Sequence, residues 1–130
     1  MNIACCGIDR KDFRAVEQAC GCTVLYFADA PDRRGDVRLA YALRDGVPIR
    51  LAVVGYQGAA GLAACDFLCS HLPGERVLWL CRRPEFSAEA QRLGVHFCRA
   101  GPPATPDEIT QEILHLLRQR AEQEREGGRE

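Results

Sequence analysis

The sequence predicts a doubly wound α/β domain, in which five parallel strands alternate with five helices that cover both faces of the sheet. The length of 130 residues, with 47% hydrophobic and 27% charged residues, is typical of one soluble globular domain. Short apolar runs alternate along the chain with longer segments of helical period. The short runs are nearly uninterrupted, as expected for strands that are buried on both faces of a parallel sheet.

Each predicted strand is a short apolar run bounded by glycine, proline or polar residues. The first run is NIACC, and the second, TVLYFA, is rich in β-branched and aromatic residues. The runs IRLAVV, RVLWLC and VHFC follow in order. The five predicted strands therefore cover residues 2–6, 23–28, 49–54, 76–81 and 95–98.

The predicted helices begin and end at capping or breaking residues. Asp9 can cap the first helix and Gly21 ends it. Thr105 can cap the last helix, with Pro106 in the first helical position and Glu108 completing a capping box. The first four helices cover residues 10–20, 36–45, 60–71 and 84–93, and the fifth begins at residue 106.

The charge pattern offers no electrostatic basis for binding nucleic acid or a membrane surface. Seventeen basic and 18 acidic residues give a formal net charge of -1. No apolar run approaches the ~20 residues of a transmembrane helix, and Asp9 and Arg10 interrupt the N-terminal apolar run, unlike in a signal peptide. We expect a cytoplasmic protein with a domain over residues 1–118. The all-polar residues 119–130 extend the last helix or form a linker.

Cysteine is frequent in this chain, and its spacing argues against metal binding. The spacings are C-C, C-x-C and C-x-x-x-C, without the C-x-x-C pairs typical of zinc sites. Because most of the cysteines lie within apolar runs, we predict free thiols, no metal and no cofactor. The eight residues are Cys5, Cys6, Cys20, Cys22, Cys65, Cys69, Cys81 and Cys98.

No set of residues has the spacing of a catalytic site. Cys5 and Cys6 precede a strand-to-helix turn, where a reactive thiolate is one alternative. A cysteine-phosphatase loop needs arginine after five intervening residues, and those positions hold Lys11 and Asp12. The histidines fall on different predicted elements and form no triad with a nucleophile. We predict that the protein is not an enzyme.

Four arginines form a candidate anion site, because ligands of doubly wound sheets bind at the carboxyl ends of the strands. Arg10, Arg82, Arg83 and Arg99 all follow predicted strands, and helix N-termini point toward the same edge. A phosphate group or a nucleotide is the ligand that this pattern favours. The alternative is that these side chains are solvated loop charges in an arginine-rich chain. Asp29 is assigned to a turn.

The carboxyl-terminal third resembles the receiver domain of bacterial response regulators, a CheY-like fold. The segment VLWLCRRPEFSAEAQRLGVHFCRAGP can be laid without a gap on the fourth strand, fourth helix and fifth strand of that family. The anchors are Glu89, Ala90, Gly94, Phe97 and Pro102. The match is closest to receivers that precede LytTR-type DNA-binding domains. The resemblance implies a flavodoxin-like sheet with strand order 2-1-3-4-5.

A working receiver transfers a phosphoryl group, and the resemblance assigns the positions that this chemistry requires. Two acidic residues hold Mg²⁺, an aspartate accepts the phosphoryl group, and a Thr or Ser and a Lys respond to it. In this chain the acidic pair is replaced by Gly7 and Ile8 with Asp9 beside them, the acceptor by Gly55, the Thr or Ser by Cys81 and the Lys by Gly101. We therefore predict a pseudo-receiver that acts without phosphorylation; a conventional receiver with a misread site is the alternative.

The resemblance also implies a surface for association. In this family the face formed by the fourth helix, the fifth strand and the fifth helix often mediates homodimerisation or partner binding. The corresponding surface of this chain includes Phe86, Gln91, His96, His115 and Arg118. We predict a constitutive homodimer, or a complex with a protein partner, through this face. Such an interaction would position any output domain that follows residue 130.

Overall fold

The computed structural model describes residues 2–99 and 106–127, which form a five-stranded parallel sheet flanked by helices. The strand order is β2-β1-β3-β4-β5, so the predicted doubly wound, flavodoxin-like fold is confirmed. The strands are β1 (Asn2–Cys6), β2 (Thr23–Phe27), β3 (Leu51–Val54), β4 (Val77–Leu80) and β5 (His96–Cys98). The helices are α1 (Arg10–Cys20), α2 (Gly35–Arg44), α3 (Gly58–Leu68), α4 (Ser87–Leu93) and α5 (Pro106–Gly127).

The ends of the elements differ from the prediction by one to three residues in most cases. Helix α3 begins at Gly58 rather than at residue 60 and ends at Leu68 rather than at 71. A 3₁₀ turn, Pro84–Phe86, occupies the predicted first turn of α4, and the regular helix begins at Ser87. Such turns are frequent at the N-termini of α-helices. Helix α5 continues through Gly127, so residues 119–127 extend the helix.

The predicted helix caps are confirmed in one case and corrected in another. Gly21 ends α1 in the left-handed conformation, with φ of 63°. Asp9 occupies the N-cap position of α1, but its side chain makes no capping hydrogen bond; its backbone carbonyl instead accepts from the N–H of Asp12 at 3.0 Å. The predicted cap Thr105 lies outside the described residues.

Two apolar layers enclose the sheet, because alternate residues of each strand point to opposite faces. Helices α2, α3 and α4 cover one face, where Leu39, Leu68 and Trp79 are fully buried. Helices α1 and α5 cover the other face through Phe13 and Ile113 and their neighbours. Among the described residues, no helix combines the length and the apolar character needed to cross a lipid bilayer.

Gly61 allows helix α3 to approach the end of β3 closely. A Cβ atom on Gly61 would overlap the backbone carbonyl oxygen of Tyr56 and the indole nitrogen of Trp79. Those two atoms are hydrogen-bonded to each other, with Trp79 Nε1 donating to the Tyr56 carbonyl at 2.9 Å. A side chain at position 61 would therefore push α3 away from the hydrogen bond between Trp79 and Tyr56, which connects β4 to the loop after β3.

Replacing Gly61 by alanine tests this close approach. Helix propensity alone would stabilise the variant by up to about 1 kcal/mol. The overlap with backbone atoms should outweigh that gain, and we expect Gly61→Ala to lower the free energy of unfolding by about 2 kcal/mol. Urea denaturation measures the change. The control is Ala60→Gly at the neighbouring exposed position, which reports the propensity contribution alone; a Gly61→Ala protein that is more stable than the parent would contradict the packing.

Candidate functional site

The candidate site is a cleft of about 390 Å³ at the carboxyl ends of β1, β2 and β3. This is the edge at which the strand order reverses between β1 and β3, and ligands of doubly wound sheets bind at such a point. The residues that line the cleft are Gly7, Ile8, Asp9, Ala28, Asp29 and Tyr56. Three of the predicted receiver positions, Gly7, Ile8 and Asp9, therefore lie in the cleft.

Gly55, which the resemblance places at the phosphoryl-acceptor position, is closely packed. The N–H of Gly55 donates to the carbonyl of Cys6 at 2.9 Å, which holds the ends of β1 and β3 together. A Cβ atom on Gly55 would overlap Cγ1 of Ile8 and would lie 2.7 Å from the carbonyl oxygen of Gly7. The side chain of Ile8 therefore occupies the volume into which an acceptor side chain at position 55 would project.

Gly7 permits Tyr56 to lie across the end of β1. Gly7 has a φ of 72°, a left-handed conformation that glycine adopts without strain. A Cβ atom there would lie 2.7 Å from the backbone nitrogen of Tyr56 and 2.9 Å from its ring. An acidic side chain at position 7 would be both strained and in contact with that ring.

Tyr56 and Asp29 form a hydrogen-bonded group that the sequence analysis missed, because it assigned Asp29 to a turn. The hydroxyl of Tyr56 donates to Oδ1 of Asp29. The backbone N–H of Gly35, at the start of α2, is shared between Oδ1 of Asp29 at 2.7 Å and the Tyr56 oxygen at 3.1 Å. A Cβ atom on Gly35 would overlap the carbonyl oxygen of Phe27, so the close approach of α2 to β2 also depends on glycine.

These contacts shift the pKa values of both side chains. The hydrogen bond from Tyr56, with that from Gly35 and the charge of Arg34, holds the pKa of Asp29 below its ordinary value of 3.8. Burial, followed by the hydrogen bond to the Asp29 carboxylate, raises the pKa of Tyr56 above its ordinary value of 10.0. At neutral pH the pair is therefore a carboxylate that accepts from a neutral phenol, and this carboxylate is engaged within the protein.

An ion pair between a half-exposed arginine and a buried aspartate lies beside this group. Asp36 is fully buried in the first turn of α2, and Arg34 donates to both of its carboxylate oxygens, at 3.1 and 2.7 Å. The guanidinium of Arg34 also lies 5.6 Å from the ring centroid of Tyr56. The hydrogen bond to Asp36, with the charge of that side chain, raises the pKa of Arg34.

The ends of β3 and β4 are joined by one side chain, Gln57. Its amide nitrogen donates to the carbonyls of Gly55 and Leu80, each at 3.0 Å, and its amide oxygen accepts from the N–H of Arg82 at 2.9 Å. Cys81, which the resemblance places at the Thr or Ser position of a receiver, is fully buried, and its thiol donates to the carbonyl of Arg83 at 3.8 Å. Gly101, at the receiver's Lys position, lies outside the described residues.

The four arginines of the candidate anion site lie at separate places along the carboxyl edge. Arg10 lies 5.2 Å from the ring centroid of Tyr26 on the edge strand β2. Arg83, beyond β4, pairs with Glu85 at 2.9 Å, and Arg82 and Arg99 are exposed after β4 and β5. Because β1 and β3 lie between β2 and β4, Arg10 lies apart from Arg82, Arg83 and Arg99. The anion site stays a prediction.

The cysteines have the environment of structural thiols. None of the eight, all of which lie within residues 2–99, forms a disulfide, and Cys5 and Cys6 are almost completely buried. Burial raises the pKa of Cys5 to about 12 and that of Cys6 well above its ordinary value of 9.0. A nucleophilic cysteine needs exposure and a lowered pKa, so these surroundings do not favour the alternative of a cysteine enzyme. Within residues 2–99 and 106–127, no cluster of three or more His, Cys, Asp or Glu residues has metal-binding geometry.

The residues of the predicted association surface lie on α4, β5 and α5 or next to them. Phe86 is half-buried and packs edge-on against Trp79, with ring centroids 5.7 Å apart. Gln91, His115 and Arg118 are exposed, and His96 is half-buried with Nε2 3.1 Å from the carbonyl oxygen of Glu75. Three of the five side chains are therefore accessible to a partner.

Comparisons with known proteins establish the fold and no family. The chain matches no protein-family model and no curated protein sequence. It is similar in structure to a protein from Burkholderia pseudomallei that is described as pilus assembly-related, with a TM-score of 0.63 and 15% sequence identity. The match covers 89% of this chain and 88% of that chain. At this identity the similarity is one of fold.

Replacing Tyr56 by phenylalanine tests the hydrogen-bonded group. Because the Tyr56 hydroxyl is the largest cause of the lowered Asp29 pKa, we expect Tyr56→Phe to raise that pKa toward 3.8. A carboxyl whose pKa is lower in the folded state stabilises the fold above pH 3.8, and this contribution is lost as the pH falls through the folded-state pKa. Carboxyl NMR titration measures the Asp29 pKa. The control is Tyr41→Phe; an Asp29 pKa unchanged in Tyr56→Phe would contradict the assignment.

Proposed function

We propose that this chain is a receiver-like domain that has lost phosphotransfer and acts as an interaction or dimerisation module in signalling. The observation that carries the proposal is the closure of the acceptor position, where Gly55 has no side chain and Ile8 fills the adjoining volume. The positions of the metal-binding pair hold Gly7 and Ile8, leaving Asp9 as the nearby acid. One exposed carboxylate is a poor Mg²⁺ site, because this cation usually binds several oxygen ligands.

The alternative of a conventional receiver has little support in the geometry of the cleft. Its lining contains two carboxylates, Asp9 and Asp29. The Asp29 carboxylate accepts from Tyr56 and Gly35, and its place after β2 differs from the acceptor's place after β3. An acceptor must be free to attack a phosphoryl donor beside a bound metal ion. Asp29 therefore serves better as a structural anchor for the start of α2.

The proposed association surface is favoured by the position of β5. This strand lies at the edge of the described sheet and spans three residues, His96–Cys98, so one side of its backbone has no strand partner there. Helices α4 and α5 flank it on opposite faces of the sheet. A second copy related by a twofold axis would contact the same residues reciprocally.

The fold neighbour's description does not extend this proposal. That protein is described as pilus assembly-related, and a module that acts through association is compatible with such a process. A shared fold at 15% identity is no argument for a shared function. The proposal rests on the residues of this chain alone.

The absence of phosphotransfer predicts that the protein does not respond to beryllofluoride, which mimics a phosphorylated aspartate. With Mg²⁺ and beryllofluoride, we expect no change in the melting temperature or in the fluorescence of Trp79, a fully buried reporter next to Phe86 and Phe97. We also expect no response from Gly55→Asp, because Ile8 obstructs the new side chain. A conventional receiver serves as the positive control.

The opposite result would be informative. A saturable, Mg²⁺-dependent shift in the parent protein would refute the loss of phosphotransfer. Testing Asp9→Asn and Asp29→Asn in turn would then identify the responsible carboxylate.

Constitutive dimerisation predicts that the protein is dimeric without metal or phosphodonor. We expect Gln91→Glu combined with Arg118→Glu to weaken the dimer about tenfold, because each twofold interface would contain both substitutions twice. Analytical ultracentrifugation over a range of concentrations measures the dissociation constant. Arg14→Glu, an exposed charge reversal on α1, is the matched control. A protein that is monomeric at every concentration would refute dimerisation.

A further inference from the structure

We propose that the groove between α2 and α3 binds an acidic peptide segment that inserts an apolar side chain beside Tyr41. The groove has a volume of about 310 Å³ and lies away from the β5 edge and from the cleft at the carboxyl ends of the strands. Its lining residues are Val37, Ala40, Tyr41, Arg44, Phe67 and His71. The inference does not depend on the loss of phosphotransfer or on the receiver-like assignment.

Tyr41 is the residue around which the groove is organised. With 42% of its surface exposed, it is the one large hydrophobic side chain that is exposed in the part of the chain that the structure describes. It lies within α2 rather than in a loop. The opposite wall is formed by Phe67 of α3 and by His71 in the turn after α3, whose rings meet edge-on at 5.0 Å. An aromatic residue exposed beside an apolar groove is a typical centre of a binding surface.

Two guanidinium groups flank the ring of Tyr41. The Cζ atom of Arg33 lies 4.6 Å from the ring centroid and that of Arg44 lies 5.9 Å from it. Neither arginine forms an ion pair with a carboxylate among the residues described here, whereas Arg34, Arg83 and Arg92 each do. The groove therefore has a cationic rim whose two guanidinium groups make no ion pair within the described residues.

The rim indicates the chemistry of the partner. Asp36, the acidic residue in the first turn of α2, is fully buried and paired with Arg34, so it does not neutralise Arg33 or Arg44. Arginine binds carboxylates through two parallel hydrogen bonds, and an apolar side chain gains from contact with Tyr41 and Phe67. A segment with Asp or Glu on either side of an apolar residue would satisfy both features at once.

Selection from a random peptide library displayed on phage tests the proposal and does not require the partner to be identified. The immobilised full chain should enrich peptides in which acidic residues flank an apolar residue. We expect Tyr41→Ser, and separately Arg33→Glu combined with Arg44→Glu, to weaken binding of the enriched synthetic peptides about tenfold or more. Fluorescence anisotropy measures the affinity, and rising salt should weaken it in the parent protein.

Matched variants separate this groove from other surfaces. Arg14→Glu on α1, an exposed charge reversal on the opposite face of the sheet, should leave peptide binding unchanged, as should Gln91→Glu with Arg118→Glu. Circular dichroism confirms that each variant is folded. Enrichment of no peptide, enrichment of basic or uncharged peptides, or binding that survives both groove variants would refute the proposal.

A second copy of the chain is the other occupant that the experiment must distinguish. If the groove variants convert a dimer into a monomer in analytical ultracentrifugation, the groove is covered by the protein itself and the acidic-peptide proposal is refuted. If peptide binding is lost while the oligomeric state is unchanged, the groove is a separate docking site. Peptide binding in this groove does not depend on dimerisation through α4 and α5, so the two proposals can fail separately.

Discussion

The position of Tyr56 is the constraint on which the carboxyl edge of the sheet depends. Its backbone nitrogen and ring lie directly over Gly7. Its carbonyl accepts a hydrogen bond from Trp79, at the place where Gly61 lets α3 pack closely. Its hydroxyl reaches Asp29, and so fixes the start of α2. One residue thus connects the ends of three strands and two helices, and glycine is required wherever the chain passes closest to it.

The packing around Tyr56 differs from what the phosphotransfer site of a receiver requires. A receiver needs an open volume between its metal-binding acids and its acceptor, so that Mg²⁺ and a phosphoryl group can enter. Here Ile8 fills the space next to Gly55, and Tyr56 covers Gly7. An acidic substitution at position 55 would therefore not provide an open acceptor, because Ile8 fills the volume into which the new side chain would project. The proposed loss of phosphotransfer therefore rests on the packing as well as on the residue types.

The sequence predicts the fold well because periodicity and apolar runs are local signals. The resemblance to receivers predicts the observed strand order. Gly21 directly follows the apolar stripe of α1, and it ends that helix as this position indicates. The contact between Tyr56 and Asp29 joins residues 27 positions apart in loops, where no periodic pattern exists. The overlap of Ile8 with a side chain at Gly55 likewise appears only after β1 and β3 pair. Non-local contacts of this kind determine the geometry of the candidate site. The sequence therefore predicts which residues lie at the carboxyl edge of the sheet, but not that Ile8 fills the volume beside Gly55.

The fold separates the two proposed surfaces and allows both to be occupied together. Helix α3 packs between α2 and α4, so the groove beside Tyr41 and the face around β5 lie on opposite flanks of α3. A copy bound at α4, β5 and α5 would leave the cationic rim of Arg33 and Arg44 accessible. The tight packing around Tyr56 and Trp79 lies between these surfaces, and a packed core moves between discrete arrangements rather than deforming continuously. The two proposals together describe a scaffold that holds two partners at fixed positions, in place of a switch driven by phosphorylation.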